Sequence, residues 1–119
     1  MSSLNLSIDL NFLVRSTLQQ IILQSYQVTF EFDNDIRIAV ESEWELLNSG
    51  TLLGRGNPQN QSGPISESQK LIGATVTNVF PKQDGTLTLV FSNNFRLVLL
   101  PCMDHEAYNI SGKGIYIVV

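Results

Sequence analysis

The chain has 119 residues, 43% of them apolar, which is enough for one hydrophobic core and too short for two ordinary domains. Eleven acidic residues outnumber seven basic ones, and a net charge of −4 opposes binding to nucleic-acid backbones and anionic membranes. The single cysteine, Cys102, cannot form a disulfide within the chain, and residues 1–10 lack the basic and apolar blocks of a signal peptide. We therefore expect a single-domain cytoplasmic protein, residues 1–119, with neither nucleic acid nor membrane as a partner.

The first predicted elements are strands. Apolar residues alternate with Ser, Asn and Asp from Leu4 to Phe12, a period that places one apolar row on a single face. A β-hairpin follows, in which residues 28–32 pair with residues 36–40. In this register Glu31 lies opposite Arg37, and one residue of the turn at 33–35, Asn34 or Asp35, takes the left-handed conformation.

The second half of the chain repeats the pattern of the first. Three stretches match at offsets of 58, 59 and 64, namely residues 13–22 with 71–80, 28–38 with 87–97, and 44–52 with 108–116. A meander of three or four strands cannot bury its own apolar face, so two must pack together. We predict a mainly β domain in which two pseudo-repeated antiparallel β-meanders, residues 12–53 and 70–119, pack as a sandwich or flattened barrel.

Three shorter features complete the chain. Residues 54–66 are rich in Gly, Pro, Asn, Gln and Ser, which predicts a flexible surface loop between the repeats. The sequence from Ser66 to Gln69 fits a capping box and Gly73 suits a helix end, so a short helix is predicted over residues 66–72. The unbroken apolar run of residues 115–119 predicts a buried final strand.

Acidic residues are concentrated in the first half, where Arg37 is the one base between residues 31 and 45. The six carboxylates of this stretch are Glu31, Asp33, Asp35, Glu41, Glu43 and Glu45. If Trp44 faces inward on an extended segment, the last three project from one outer face at two-residue intervals. Two interpretations stay open: a solvated face protected from aggregation by its charge, or a surface that attracts a basic protein.

The local cluster from Cys102 to Glu106 contains residue types that catalytic and metal sites use. With one Cys and one His in the chain, neither a zinc ligand set nor a catalytic constellation is predicted, so we expect no catalytic residue, metal or cofactor. The preferred interpretation is a solvated loop. Asp104, His105 and Glu106 then form a secondary patch that a partner could contact.

Several segments resemble a small bacterial family of unknown function. The segments are residues 9–14, 24–32, 38–46, 71–76, 85–91 and 106–110. Members of such families resemble the immunity proteins of polymorphic-toxin and contact-dependent growth-inhibition systems. The resemblance implies a non-enzymatic antitoxin whose partner is the C-terminal toxin domain of another protein. The chain departs from the family pattern at Arg15, where the match to Gly73 leads us to expect glycine.

Two functional hypotheses follow. In the first, the protein neutralises a cognate toxin, such as a basic nuclease, through its acidic surface. The candidate contacts are Glu31, Asp33, Asp35, Glu41, Glu43, Trp44, Glu45, Asp104, His105 and Glu106, with Trp44 as an aromatic anchor if it lies outside the core. In the second, the protein is a scaffold or small-ligand module whose apolar ligand lies between the meanders. Its lining would be Phe30, Phe32, Phe91 and Phe95.

Overall fold

Two antiparallel β-sheets make up most of the protein. The computed structural model describes residues 9–119, whose ten strands form two five-stranded sheets, accompanied by one short helix and two 3₁₀ turns. The strands are β1 Leu18–Leu23, β2 Val28–Phe32, β3 Arg37–Val40, β4 Trp44–Asn48, β5 Thr51–Gly56, β6 Val76–Pro81, β7 Leu87–Phe91, β8 Phe95–Leu99, β9 Tyr108–Gly112 and β10 Ile115–Val118. The predicted mainly β class with packed antiparallel sheets is confirmed.

The two repeats are joined by an exchange of hairpins. The first sheet has the order β1-β2-β3-β9-β10, and the second has the order β5-β4-β8-β7-β6. Each sheet therefore contains three strands of one repeat and two strands of the other. The sequence did not predict this exchange, because apolar alternation specifies which face of a strand is buried and not which strand it pairs with.

Matching backbone hydrogen bonds join the starts of β1 and β6 about a pseudo-twofold axis. The four bonds run from Arg15 N to Val76 O, Gly73 N to Leu18 O, Leu18 N to Ala74 O and Val76 N to Ser16 O, at 2.8 to 3.0 Å. They form two pairs related by the offset of 58 residues. Thr17 and Thr75, which are equivalent to each other, meet at the axis with their hydroxyl oxygens 3.2 Å apart.

The apolar inner faces of the two sheets form one core. Phe30 of the first sheet meets Trp44 of the second edge to face, with ring centroids 5.3 Å apart. Phe32 and Phe91 stack across the same space at 6.4 Å. Phe30, Phe32, Phe91 and Phe95 are at most 4% exposed. The four side chains that were expected to line a ligand space are therefore core residues.

The predicted hairpin forms with the predicted register. β2 and β3 place Glu31 opposite Arg37, and the guanidinium contacts the carboxylate at 2.9 Å. Asn34 and Asp35 have φ values of 62° and 63°. The turn therefore uses two left-handed residues where one was expected.

The segment that precedes β1 differs from its prediction. Residues 4–8 of the predicted strand lie outside the described residues, and Asn11–Leu13 forms a 3₁₀ turn in place of its final part. Leu10 and Leu13 are both buried. Two core side chains three residues apart suit a helical turn, because a strand would place them on opposite faces.

The predicted helix is shorter than expected and continues as a tighter turn. α1 spans Ile65–Ser68, and a 3₁₀ turn follows over Gln69–Leu71. Pro64 occupies the N-cap position without a side-chain hydrogen bond, so the predicted capping box of Ser66 is wrong. Gly73 follows with φ of 89°.

The predicted flexible loop at 54–66 includes part of a strand and one core amide. β5 continues to Gly56, and Gln61 is only 2% exposed. Its Oε1 accepts a hydrogen bond from Trp44 Nε1 at 2.8 Å, and its Nε2 donates to Ser42 O at 3.1 Å. The loop thereby supplies a hydrogen-bond acceptor for the buried indole N–H, which would otherwise exchange a hydrogen bond to water for none.

The final strand is an edge strand and is not fully buried. β10 lies at the end of the first sheet, and Tyr116 and Val118 are 68% and 48% exposed. Ile117 and Val119 face the core. Tyr116 and Val118 lie on the outer face of the sheet, which is in contact with water, and a continuous apolar run does not reveal that one of its faces is exposed.

Arg15 provides a test of the pseudo-symmetry. Its φ of 78° is close to the 89° of Gly73, and a side chain in this region costs free energy that glycine avoids. We predict that Arg15→Gly raises the free energy of unfolding by about 1 kcal/mol and that Gly73→Ala lowers it by about as much. A Cβ at Gly73 would have no atom within 4 Å, so its effect is confined to the backbone.

Urea denaturation of both variants measures these changes. Arg15→Ala serves as the control, since it removes the same charged side chain and keeps the strained backbone. Equal stabilities of Arg15→Gly and Arg15→Ala would contradict the prediction.

Candidate functional site

The two segments that carry the chain from one sheet to the other lie side by side. Residues 41–43 lead from β3 to β4, and residues 100–107 lead from β8 to β9. Glu41 N and Ser42 N donate to Ala107 O at 2.8 and 3.1 Å, and Leu100 N donates to Glu43 O at 3.0 Å. We call this end of the molecule, which also includes the turns at residues 24–27, 57–64 and 82–86, the crossover end.

The crossover end carries much of the excess negative charge. Its carboxylates are Glu41, Glu43, Asp84, Asp104 and Glu106, and Lys82 is the one lysine or arginine among the segments that form it. Within residues 9–119, no lysine or arginine forms an ion pair with any of these five carboxylates. Neighbouring like charges on a surface repel one another, so their grouping does not stabilise the fold.

Three predicted contact residues lie at the opposite end of the sheets. Glu31 is paired with Arg37, and Asp33 Oδ1 accepts a hydrogen bond from Thr17 N at 3.0 Å. Asp35 belongs to the same turn, and the length of β3 separates it from Glu41 by roughly 20 Å at about 3.3 Å per residue. The acidic stretch of the sequence therefore forms two separate surfaces.

Glu41, Glu43 and Glu45, which were predicted to form a ladder on one extended segment, do not lie in one strand. The chain bends at the buried Ser42 as it passes between the sheets, so the three residues do not share one straight strand. Glu45 lies in β4 on the outer face of the second sheet, where its carboxylate meets the Arg55 guanidinium at 2.6 Å. Glu41 and Glu43 precede β4 and stay beside the second crossover.

Trp44 lies in the core, so the condition under which it could anchor a partner is not met. Its side chain is fully buried, with Phe30 against its ring and Gln61 on its indole nitrogen. Trp44 opens β4 directly after the crossover. Its packing in the core therefore fixes the end of the segment that contains Glu41 and Glu43, and its side chain contacts no partner.

The secondary patch is part of the crossover end. Asp104 and His105 are exposed, and Glu106 is partly buried. His105 Nδ1 lies 2.8 Å from Glu106 O, and Glu106 Oε1 accepts a hydrogen bond from Asn109 Nδ2 at 3.1 Å. In the described part of the chain, no group of three or more His, Cys, Asp or Glu residues is arranged to hold a metal ion.

Asp84, in the turn at residues 82–86, and Tyr108, whose phenol contacts that turn, both have shifted pKa values. Hydrogen bonds from the backbone and side chain of Thr86 lower the pKa of Asp84 below its ordinary value of 3.8. Burial, assisted by the charge of Asp84, raises the pKa of Tyr108 well above its ordinary value of 10.0. The phenol donates to Gly85 O at 2.7 Å. Asp84 is thus charged and Tyr108 neutral near pH 7.

Two exposed apolar residues at the crossover end were missed by the sequence analysis. Tyr26 is 73% exposed, and its carbonyl accepts a hydrogen bond at 3.5 Å from the same Gln61 amide that contacts Ser42. Met103, in the second crossover, is 86% exposed. The signal was present in the sequence, since both interrupt polar turns where a large apolar side chain has no core to enter.

The fold and site define a duplicated two-sheet β protein with an acidic end. The chain belongs to the Family of unknown function (DUF6188), whose model matches residues 10–119. No curated protein and no solved structure matches the chain. The structure has no helix in residues 9–119 long and apolar enough to cross a membrane.

The charge arrangement predicts an unusual response to neutralisation. We expect Glu41→Gln/Glu43→Gln to raise the free energy of unfolding by about 0.3–1 kcal/mol at low salt, because it relieves repulsion at the crossover end. The gain should disappear in high salt, where exposed charges are screened. Urea denaturation in both buffers measures it.

Glu31→Gln/Asp35→Asn is the matched control, since it also removes two negative charges. It breaks the Glu31–Arg37 pair and should not stabilise the protein. A loss of stability in Glu41→Gln/Glu43→Gln would mean that these carboxylates serve the fold.

Proposed function

We propose that this protein is an immunity protein, a cytoplasmic antitoxin that binds and neutralises a cognate bacterial toxin domain without catalysis. The observation that carries the proposal is the pairing of the two crossovers, which brings the segment of Glu41 and Glu43 beside the segment of Asp104 and Glu106. A toxin domain that cleaves nucleic acid needs a basic surface for its phosphates. An acidic protein surface that binds there competes directly with the substrate.

The geometry supports electrostatic steering by one end of the molecule. The molecule measures 31 × 31 × 25 Å. Charges in physiological salt are screened over about 8 Å, so a partner that approaches the crossover end is attracted by the carboxylates there, while the opposite end contributes little. The opposite end of the sheets, which includes the turn at residues 33–35, also contains four basic residues: Arg15, Arg37, Arg96 and Lys113. A basic partner would therefore be attracted to the crossover end and oriented by the difference in charge between the two ends of the molecule.

Two apolar side chains among the carboxylates supply anchors. Tyr26 and Met103 are the kinds of residue enriched at protein interfaces, where they remove apolar area from water. They take the role that the sequence analysis assigned to Trp44. In this proposal, the carboxylates accelerate encounter and the two apolar residues slow dissociation.

The proposal is tested with the C-terminal domain of the large secreted protein that we expect to be encoded beside this chain. Co-expression of the wild type should protect cells from that domain. Glu41→Gln/Glu43→Gln should reduce the association rate constant about threefold to tenfold at low salt and weaken protection. Stopped-flow binding over a range of salt concentrations measures the rate.

Glu31→Gln/Asp35→Asn is again the charge-matched control and should leave association nearly unchanged. Tyr26→Ala should raise the dissociation rate constant with little effect on association. Equal effects of the two double variants, or an association rate constant that is independent of salt, would overturn the proposed site. A metabolic operon around the gene would count against the antitoxin role itself.

A further inference from the structure

The outer faces of the two sheets contain equivalent grooves that have diverged in charge. One groove lies by the turn at residues 33–35 and has a volume of about 270 Å³. The other lies between the turns at residues 49–50 and 92–94 and has a volume of about 500 Å³. The offsets of 59 and 64 residues superimpose their linings, so each groove is an internal control for the other.

Both grooves contain an arginine at the equivalent position, but only the first groove contains a glutamate that pairs with it. Arg37 of the first groove contacts Glu31 at 2.9 Å. The equivalent Arg96 of the second groove lies between Val90 and Leu47 in neighbouring strands, where the first groove has Glu31 and Ser111. Within residues 9–119, Arg96 forms no ion pair.

The second groove thus has a cation, apolar walls and further polar groups. Its lining is Leu47, Ser49, Gly50, Val90, Asn94 and Arg96. Asn94 stands where the first groove has Asp35, so both carboxylates of the first groove are absent from the second. Ser49 N donates to Asn94 O at 3.1 Å, which joins the two turns and fixes one end of the groove.

We infer that the Arg96 groove binds a small monocarboxylic acid with an apolar chain. A guanidinium offers two parallel N–H donors that match a carboxylate, and one cation balances one negative charge. Leu47 and Val90 flank Arg96 in the neighbouring strands and can cover an aliphatic chain. The volume of the groove is within the range of small-molecule sites. This inference is independent of the proposed antitoxin function, which uses the opposite end of the molecule.

The probe is 4-methylpentanoate, with 4-methylpentanamide as its uncharged analogue. Titration into ¹⁵N-labelled protein should give saturable amide shifts confined to residues 47–50 and 90–96. Arg96→Gln should weaken binding about tenfold or more, because the charge-assisted bonds are lost. Arg96→Lys keeps the charge without the planar fork and should weaken binding less.

Two variants use the duplicated fold as a control. Val90→Glu rebuilds the arrangement of Glu31 and Arg37 around Arg96 and should abolish binding by supplying an internal carboxylate. Arg37→Gln removes the equivalent arginine and should leave binding unchanged. The dispersion of each spectrum shows directly that the variant is folded.

Several results would overturn the inference. One is the absence of saturable shifts at up to about 50 mM acid, because a dissociation constant above that concentration is far weaker than that of a specific small-molecule site. The others are equal binding of the acid and the amide, and undiminished binding of the acid to Arg96→Gln. Binding of a peptide with an acidic residue but not of the free acid would also overturn it, since the groove would then serve a protein partner.

Discussion

The structure depends on one constraint: neither repeat can bury its apolar face without strands of the other. A three-stranded sheet with one wet apolar face is marginal in water. Here each such unit gains the hairpin of the other repeat, so that β3 pairs with β9 and β8 pairs with β4. The backbone bonds between residues 15–18 and 73–76 then join the sheets at the axis. The exchange also creates the two crossovers, and their pairing places the segment of Glu41 and Glu43 beside the segment of Asp104 and Glu106.

Duplication gives every position a counterpart, and differences between counterparts separate what the fold requires from what it does not. Trp44 and Tyr108 are equivalent and both fully buried, which the core requires. Their polar atoms are satisfied differently, by Gln61 for the indole and by Gly85 O for the phenol. Glu31 and Val90 are also equivalent, yet Glu31 neutralises its arginine, whereas Val90 offers no charge to Arg96. Such surface differences have no cause in the folding of either sheet.

The sequence predicted those features of the fold that depend on residues close together in the chain or on the match between its two halves. Period-2 alternation located the hairpin of β2 and β3 and its register, and the match between halves located the pseudo-repeats. The exchange of hairpins depends on which strands pair over long distances, and the alternation carries no information on that. The candidate site was predicted in part for the same reason. Glu41 and Glu43 are grouped by their spacing of two residues in the sequence, but the pairing of their segment with that of Asp104 and Glu106 results from the crossovers. Their separation from Asp35 follows from the length of β3.

The exchange of hairpins also has a consequence for the order of events during synthesis. The first sheet needs β9, so β3 has an unpaired edge until residues 108–112 have left the ribosome. The same delay applies to β4, which waits for β8. Contacts between residues so distant in sequence slow the search for the native state and expose strand edges in the meantime. A nascent chain that stalls after the first repeat therefore presents two incomplete sheets, each with an unpaired edge and an uncovered apolar face.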